Sequence, residues 1–180
     1  MRAVKALPAR ATIRLSQRPL ARSALAKSAP GRCSRAMLPE HAPAFTFQAE
    51  VFYDQFDAQM ILHHPQYLVL VERAQQAWVE HVLEAPRFDW ENFPDMYLVA
   101  RRVEIDFLGS VAKPGHVLVD LWCLQLRAAK WKVGFRLRSE DGHAVYAQGH
   151  RLNCKVAPET HQPRLWSDRF QECMGALVAR

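Results

Sequence analysis

Cysteine is scarce in this chain and badly spaced for chemistry: Cys33, Cys123, Cys154 and Cys173 form no Cys-x-x-Cys pair, so neither a disulfide framework nor a cysteine-based zinc site is indicated. A reducing interior is the default expectation. Long apolar runs are missing as well. No stretch approaches the roughly 18 consecutive apolar residues that cross a bilayer, so no membrane span is expected. Acid is absent from one region altogether, since Met1–Pro39 holds nine Lys/Arg and no Asp or Glu. The formal net charge of +6 therefore misleads, because Glu40–Arg180 comes to −3. That balance argues against nucleic-acid binding by bulk charge.

The basic leader is also rich in Ala and Ser and carries four prolines. This is the composition of an organelle transit peptide rather than of a secretory signal, which needs a continuous apolar stretch. Met37 stands just before the first folded-looking segment, so a start at that methionine is the alternative reading. The first reading implies a mitochondrion or plastid, the second the cytoplasm. On either, Met1–Pro39 lacks the apolar surface to join a core and is expected to be disordered. The remaining length suits one domain, read as residues 40–164, with a C-terminal tail over 165–180 that forms a short helix. No internal repeat is present, and no low-complexity segment outside the leader.

Phe45–Tyr53 alternates partially in β-branched and aromatic residues and reads as a strand. A loop follows over Asp54–His64. Pro65 suits the first turn of a helix, where its missing N–H has no partner to lose. Tyr67, Leu70, Val71, Ala74, Trp78 and Val82 then recur at helical spacing, with Leu68 and Val69 widening the stripe. Ala85–Asp95 is a connection. Four strands come next, over Met96–Phe107, His116–Leu126, Ala129–Ser139 and His143–Val156. The third is clearest: Trp131, Val133, Phe135 and Leu137 alternate with Lys130, Lys132, Gly134, Arg136 and Arg138, as a sheet with one wet face requires. Glu140-Asp141-Gly142 supplies the following hairpin turn. The order strand, long helix, four strands predicts an α+β fold with an antiparallel sheet against one helix.

The segment Tyr53-Asp54-Gln55-Phe56-Asp57-Ala58-Gln59-Met60-Ile61-Leu62-His63-His64-Pro65-Gln66-Tyr67, followed by Glu72-Arg73-Ala74, resembles the signature of the 4-hydroxybenzoyl-CoA thioesterase/YbgC branch of hot-dog-fold acyl-CoA thioesterases. The matching residues are Tyr53, Asp57, His64 and Tyr67, and Val99–Phe107 is similar to the family's second strand. The resemblance implies a hot-dog fold, a five-stranded antiparallel sheet wrapped around a long central helix. It also implies hydrolysis of an acyl-CoA substrate without metal or separate cofactor, in a homodimer or homotetramer.

By that resemblance Asp57 is the catalytic acid residue, as nucleophile or as general base for water. Tyr53 matches a tyrosine that supports it. The backbone N–H of His64 is expected to polarise the thioester oxygen, in a stretch, His64–Gln66, whose N–H groups lack intrahelical partners and feel the positive end of the helix dipole. Pro65, Tyr67, Gln59 and Met60 are expected around the substrate. Arg127 and Lys130, with Lys132, resemble the region that reaches the nucleotide phosphates; a solvated hairpin face is the plainer reading. Family members commonly carry two small or glycine residues after Asp-Ala, whereas this chain has Gln59 and Met60, whose bulk is expected to narrow the acyl pocket, alter its selectivity or block it. A hot-dog protein that binds acyl thioesters or partner proteins without turnover is therefore the alternative. Taken alone, Asp57 reads as a turn or cap residue, and adjacent His63 and His64 lack metal-ligand spacing on a helix.

Overall fold

The computed structural model describes residues 42–84 and 92–178, all within the compact unit formed by residues 35–180. The basic leader and residues 85–91 of the connection lie outside the described residues, and with them the expectation of a disordered leader.

Strand β1, Phe45–Val51, turns Ala49 and Val51 inward and leaves Thr46, Gln48 and Glu50 in solvent, the alternation of a sheet wet on one face. Helix α1, His64–Leu83, carries a Pro in its first turn and buries Tyr67, Leu70, Val71, Ala74, Trp78, Val79 and Leu83. It ends at Glu84, which takes a left-handed conformation and donates its N–H to the Glu80 and His81 carbonyls, closing the last turn in the usual way. Four strands follow: β2 Leu98–Phe107, β3 Gly115–Arg127, β4 Lys130–Arg138 and β5 Val145–Lys155. They and β1 form one sheet in the order β1-β3-β4-β5-β2, every neighbouring pair antiparallel. The expected fold class is thus the observed one.

The core lies between α1 and the inner face of this sheet. Trp131, Val133, Phe135 and Leu137 of β4 are all fully buried, and Trp78 of α1 packs on Trp131 with ring centroids 5.3 Å apart. Each such side chain contributes about 1.5–3 kcal/mol by leaving water. β2 approaches β5 closely enough to require glycine at one point: a Cβ at Gly149 would lie 2.0 Å from the Glu104 carbonyl oxygen.

Strand boundaries differ from the sequence reading where side-chain alternation outlasts backbone pairing. β1 stops at Val51, and Tyr53 belongs to a short 3-10 turn, Tyr53–Gln55. A second such turn, Pro94–Met96, precedes β2. The C-terminal segment expected as a tail is helical over Asp168–Gly175, here α2, and it is built into the core. Phe170 and Met174 are fully buried. Trp166 stacks on Phe170 at 4.1 Å, and its indole N–H donates to the Arg127 carbonyl at 2.8 Å. Ser167 caps α2 through its hydroxyl, and both its backbone N–H and its hydroxyl donate to the buried Asp95, which also pairs with the buried Lys155. No helix among the described residues is long and apolar enough to cross a membrane.

Candidate active site

The connection between β1 and α1 is a small hydrogen-bonded structure rather than an open loop. Gln55 ties its two ends: its side-chain oxygen accepts from the Phe52 N–H at 2.8 Å, its amide donates to Gln66 at 3.0 Å, and its carbonyl accepts from the His63 N–H at 3.0 Å. Between them Phe56 and Leu62 form an antiparallel bridge, closed by Asp57 N–H to the Ile61 carbonyl and Met60 N–H to the Asp57 carbonyl, both 3.0 Å. Met60 sits at φ 59°. This is the left-handed region, which L-residues occupy at a cost of roughly 1–2 kcal/mol and glycine at almost none. A bulky residue thus follows a backbone path that favours glycine.

Asp57 holds the turn. Its Oδ1 accepts from the Gln59 N–H at 2.8 Å and from the Ile61 N–H at 3.4 Å, the pattern by which Asp side chains stabilise turns. The plain turn-residue reading of Asp57 is therefore realised in one oxygen, while Oδ2 takes no backbone donor among the described residues. Asp57 is half-buried.

At the start of α1, the His64 backbone N–H has no partner among the described residues. The Gln66 N–H, expected to be free as well, donates to the His63 carbonyl at 2.8 Å, because the chain enters the helix through a tighter first turn. One free donor remains where two were expected. The imidazoles of His63 and His64 meet edge to face at 4.8 Å, and His64 and Pro65 are exposed. Gln59 is exposed and Met60 is 51% exposed.

Three expectations need correction within one protomer. Tyr53 is 70% exposed, and no hydrogen bond joins it to Asp57 among the described residues, because it lies in the 3-10 turn rather than on the strand. Tyr67 is a buried brace, not an open substrate contact. Its hydroxyl receives the Val111 N–H at 3.3 Å and lies 3.5 Å from the Gly109 carbonyl, its ring meets Phe107 edge-on at 5.3 Å, and burial pushes its phenol pKa up. Arg127 and Lys130 stand at the far end of the sheet. Val51 pairs with Gly115 at the first residue of β3, whereas Arg127 is the last residue of that strand, roughly 40 Å on at about 3.3 Å per residue.

The segment that does meet the loop carrying Asp57 is the one between β2 and β3. The Val111 carbonyl accepts from the Leu62 N–H at 2.9 Å, and the Tyr67 brace holds the same stretch. The exposed Lys113 belongs to it. In the sequence Lys113-Pro114-Gly115 reads only as a chain breaker, and nothing local signals that it adjoins the helix start.

A groove runs along α1 beside β2. One cavity of about 180 Å³ is lined by Leu68, Val71, Glu72, Ala100, Val103 and Arg151. A second, of about 150 Å³, lies further along, bordered by Glu72, Gln75, Met96 and Arg151. Glu72 and Arg151 pair at 2.9 Å and border both. Among the described residues no cluster of three His, Cys, Asp or Glu has the geometry to hold a metal ion.

Residues 59–146 match the model of the thioesterase superfamily, a span that begins two residues after Asp57. No curated protein matches the chain. Among solved structures, a 1,4-dihydroxy-2-naphthoyl-CoA thioesterase from Synechocystis is similar at a TM-score of 0.63 and 16% identity, over 74% of this chain and 96% of its own. A thioesterase from Thermus thermophilus, complexed with coenzyme A and zinc, is similar at 0.62 and 18% identity, over 75% of this chain and 94% of its own. At such identities the likeness is one of fold. The sheet order and the long helix against it give this chain the hot-dog fold of these structures, and residues 59–146 carry its match to the thioesterase superfamily.

Proposed function

We propose that the protein hydrolyses an acyl-CoA thioester to the free acid and CoA, with Asp57 as the catalytic residue and the start of α1 as the oxyanion site. The observation that carries this reading is the division of labour at Asp57: one oxygen secures the turn, and the other lacks a backbone donor, in the loop leading to the unpaired His64 N–H. The thioester carbonyl oxygen takes that N–H and the positive end of the helix dipole, which stabilise the negative charge that develops there. Asp57 Oδ2 then either attacks the carbonyl carbon, forming an anhydride that water cleaves, or takes a proton from the attacking water. In both routes the C–S bond breaks and CoA leaves as a thiolate and is protonated; the water oxygen enters the carboxylic acid in the general-base route, and either the acid or Asp57 when water cleaves the anhydride. The apolar first part of the groove, at Leu68, Val71 and Val103, suits the acyl group. Lys113 is suited to the CoA phosphates.

The similarity to a structure that holds coenzyme A supports the choice of thioester. Gln59 favours a second reading, binding without turnover, because its side chain lies against Asp57. A thiol-release assay over acyl-CoAs with short, medium, long and aromatic acyl groups separates the two. Release of thiol with at least one of them, abolished in Asp57→Asn, is the expected result. Acyl-CoA binding without release from any of them would favour the second reading.

A further inference from the structure

The turn after Asp57 carries a contact that the sequence reading treated only as bulk. Gln59 folds back over the residue two before it. Its backbone N–H donates to Asp57 Oδ1 at 2.8 Å, and its side-chain amide nitrogen, turned toward the carboxylate, lies 3.1 Å from both Oδ1 and Oδ2. The opposite orientation would press the amide oxygen against two anionic oxygens, so the donor end faces Asp57. Among the described residues this amide is the only group that hydrogen-bonds to Oδ2, the oxygen left over from the turn.

We propose that Gln59 is a positioning residue for Asp57, its amide holding the carboxylate at a fixed rotation while the thioester binds. This rests on the reading of Asp57 as the catalytic residue. Rotation about the Cβ–Cγ bond moves both oxygens together, and the two bonds to Oδ1, one of them 3.4 Å long, resist it only in part. A donor that bridges both oxygens stops that rotation, and a fixed approach angle is what an attacking or proton-accepting oxygen requires. The bridge leaves lone pairs on Oδ2 for water or the acyl carbon, since an amide N–H engages only one of them. Met60 completes the arrangement. Its left-handed backbone closes the turn that returns Gln59 to the carboxylate, and its side chain stands in solvent rather than in the groove. On this view the two residues that depart from the family's small pair form part of the apparatus around Asp57 and do not obstruct it.

The test uses the full chain and the acyl-CoA that it cleaves fastest. Gln59→Met keeps the length of the side chain and removes the donor. Its kcat should fall about tenfold, the loss of one hydrogen bond to a charged group, with KM within about twofold and the melting temperature unchanged because the side chain is exposed. Gln59→Lys, which restores a donor of similar reach, should recover most of the loss. In an Asp57→Asn background Gln59→Met should have no further effect. An unaltered kcat in Gln59→Met, a change confined to KM, or an equal loss in both backgrounds would overturn the proposal. If the wild-type protein cleaves no acyl-CoA, the functional reading itself fails, and the contact is then read without activity from the Gln59 side-chain amide signals in a ¹H–¹⁵N spectrum. Those signals should move between wild type and Asp57→Asn; coincident signals would show that no such contact exists.

Discussion

In the proposed mechanism the two oxygens of Asp57 have separate tasks, and substitution separates them. Asparagine keeps an oxygen that accepts from the Gln59 and Ile61 N–H groups, so Asp57→Asn should melt close to wild type while kcat falls at least about hundredfold. Near-normal turnover in that variant would remove Asp57 from the mechanism. At His64 the proposed contact is a backbone group, so His64→Ala should cost less than about tenfold. His64→Pro removes the N–H itself. Proline is tolerated at the first helical position, and His63 already has the extended conformation, φ −59° and ψ 130°, that a residue before proline needs. A loss of about hundredfold or more in kcat with little change in melting temperature is expected there, and equal activity in both His64 variants would refute the oxyanion assignment. Met60 makes a prediction of opposite sign. Met60→Gly relieves the left-handed strain at the cost of greater unfolded-chain freedom, for a net gain of up to about 1 kcal/mol, read as a rise of about 2–4 °C in melting temperature.

Among the elements, β3 and β4 share a buried charge cluster that should govern acid stability. Burial by itself would raise the pKa of Asp120, but hydrogen bonds donated by Arg138, Arg136 and Thr46 outweigh it and hold the carboxyl below the ordinary aspartate value. A carboxyl depressed in the folded state contributes stability that is fully present above its unfolded pKa and is lost as pH falls through the folded one. Denaturant melts between pH 7 and pH 2 should therefore show stability falling below about pH 4, with Asp120→Asn lacking that component. The same variant should be about 3 kcal/mol less stable at pH 7, because the two guanidinium groups lose their partner. Identical pH profiles for the two proteins would show that the cluster does not control acid unfolding. At the other end of the sheet, α2 contributes Phe170 and Met174 to the same core, so any description of the domain that stops at β5 omits part of what holds Trp131 in place.

At the scale of the molecule, Phe52, Tyr53, Met60, Phe107 and Leu108 are all 40–70% exposed. β1 and β2 both finish at the end of the sheet that carries Asp57, and these residues gather there. Apolar side chains so concentrated mark a contact surface, and β2 is an open sheet edge. The expected active unit is a homodimer with this end of each protomer covered by the other. An active monomer in sedimentation at assay concentration would defeat it. The leader makes a separate prediction from charge alone. Deleting Met1–Ala36, so that the chain starts at Met37, should leave melting temperature and hydrolysis unchanged. Loss of folding or activity would make the leader part of the domain and defeat both the transit-peptide and internal-start readings.

Much of this was legible in the sequence because it is local. The period-two pattern of Trp131, Val133, Phe135 and Leu137 and the helical stripe from Tyr67 to Trp78 dictate which faces must be buried, and Asp57 and His64 lie within one short connection whatever the rest of the chain does. The sequence by itself therefore determined the element order, the sheet-on-helix layering and the segment that carries the candidate chemistry. What it did not determine depends on pairings between distant residues. The segment that carries Lys113 meets the Asp57 loop, and Arg127 stands at the far end of the sheet, because β1 pairs with the start of β3; no local pattern contains that register. Tyr67 becomes a brace because the residues 109 and 111 return to meet its hydroxyl. In each case backbone hydrogen bonding across the fold sets where a side chain stands, and only the tertiary structure decides it.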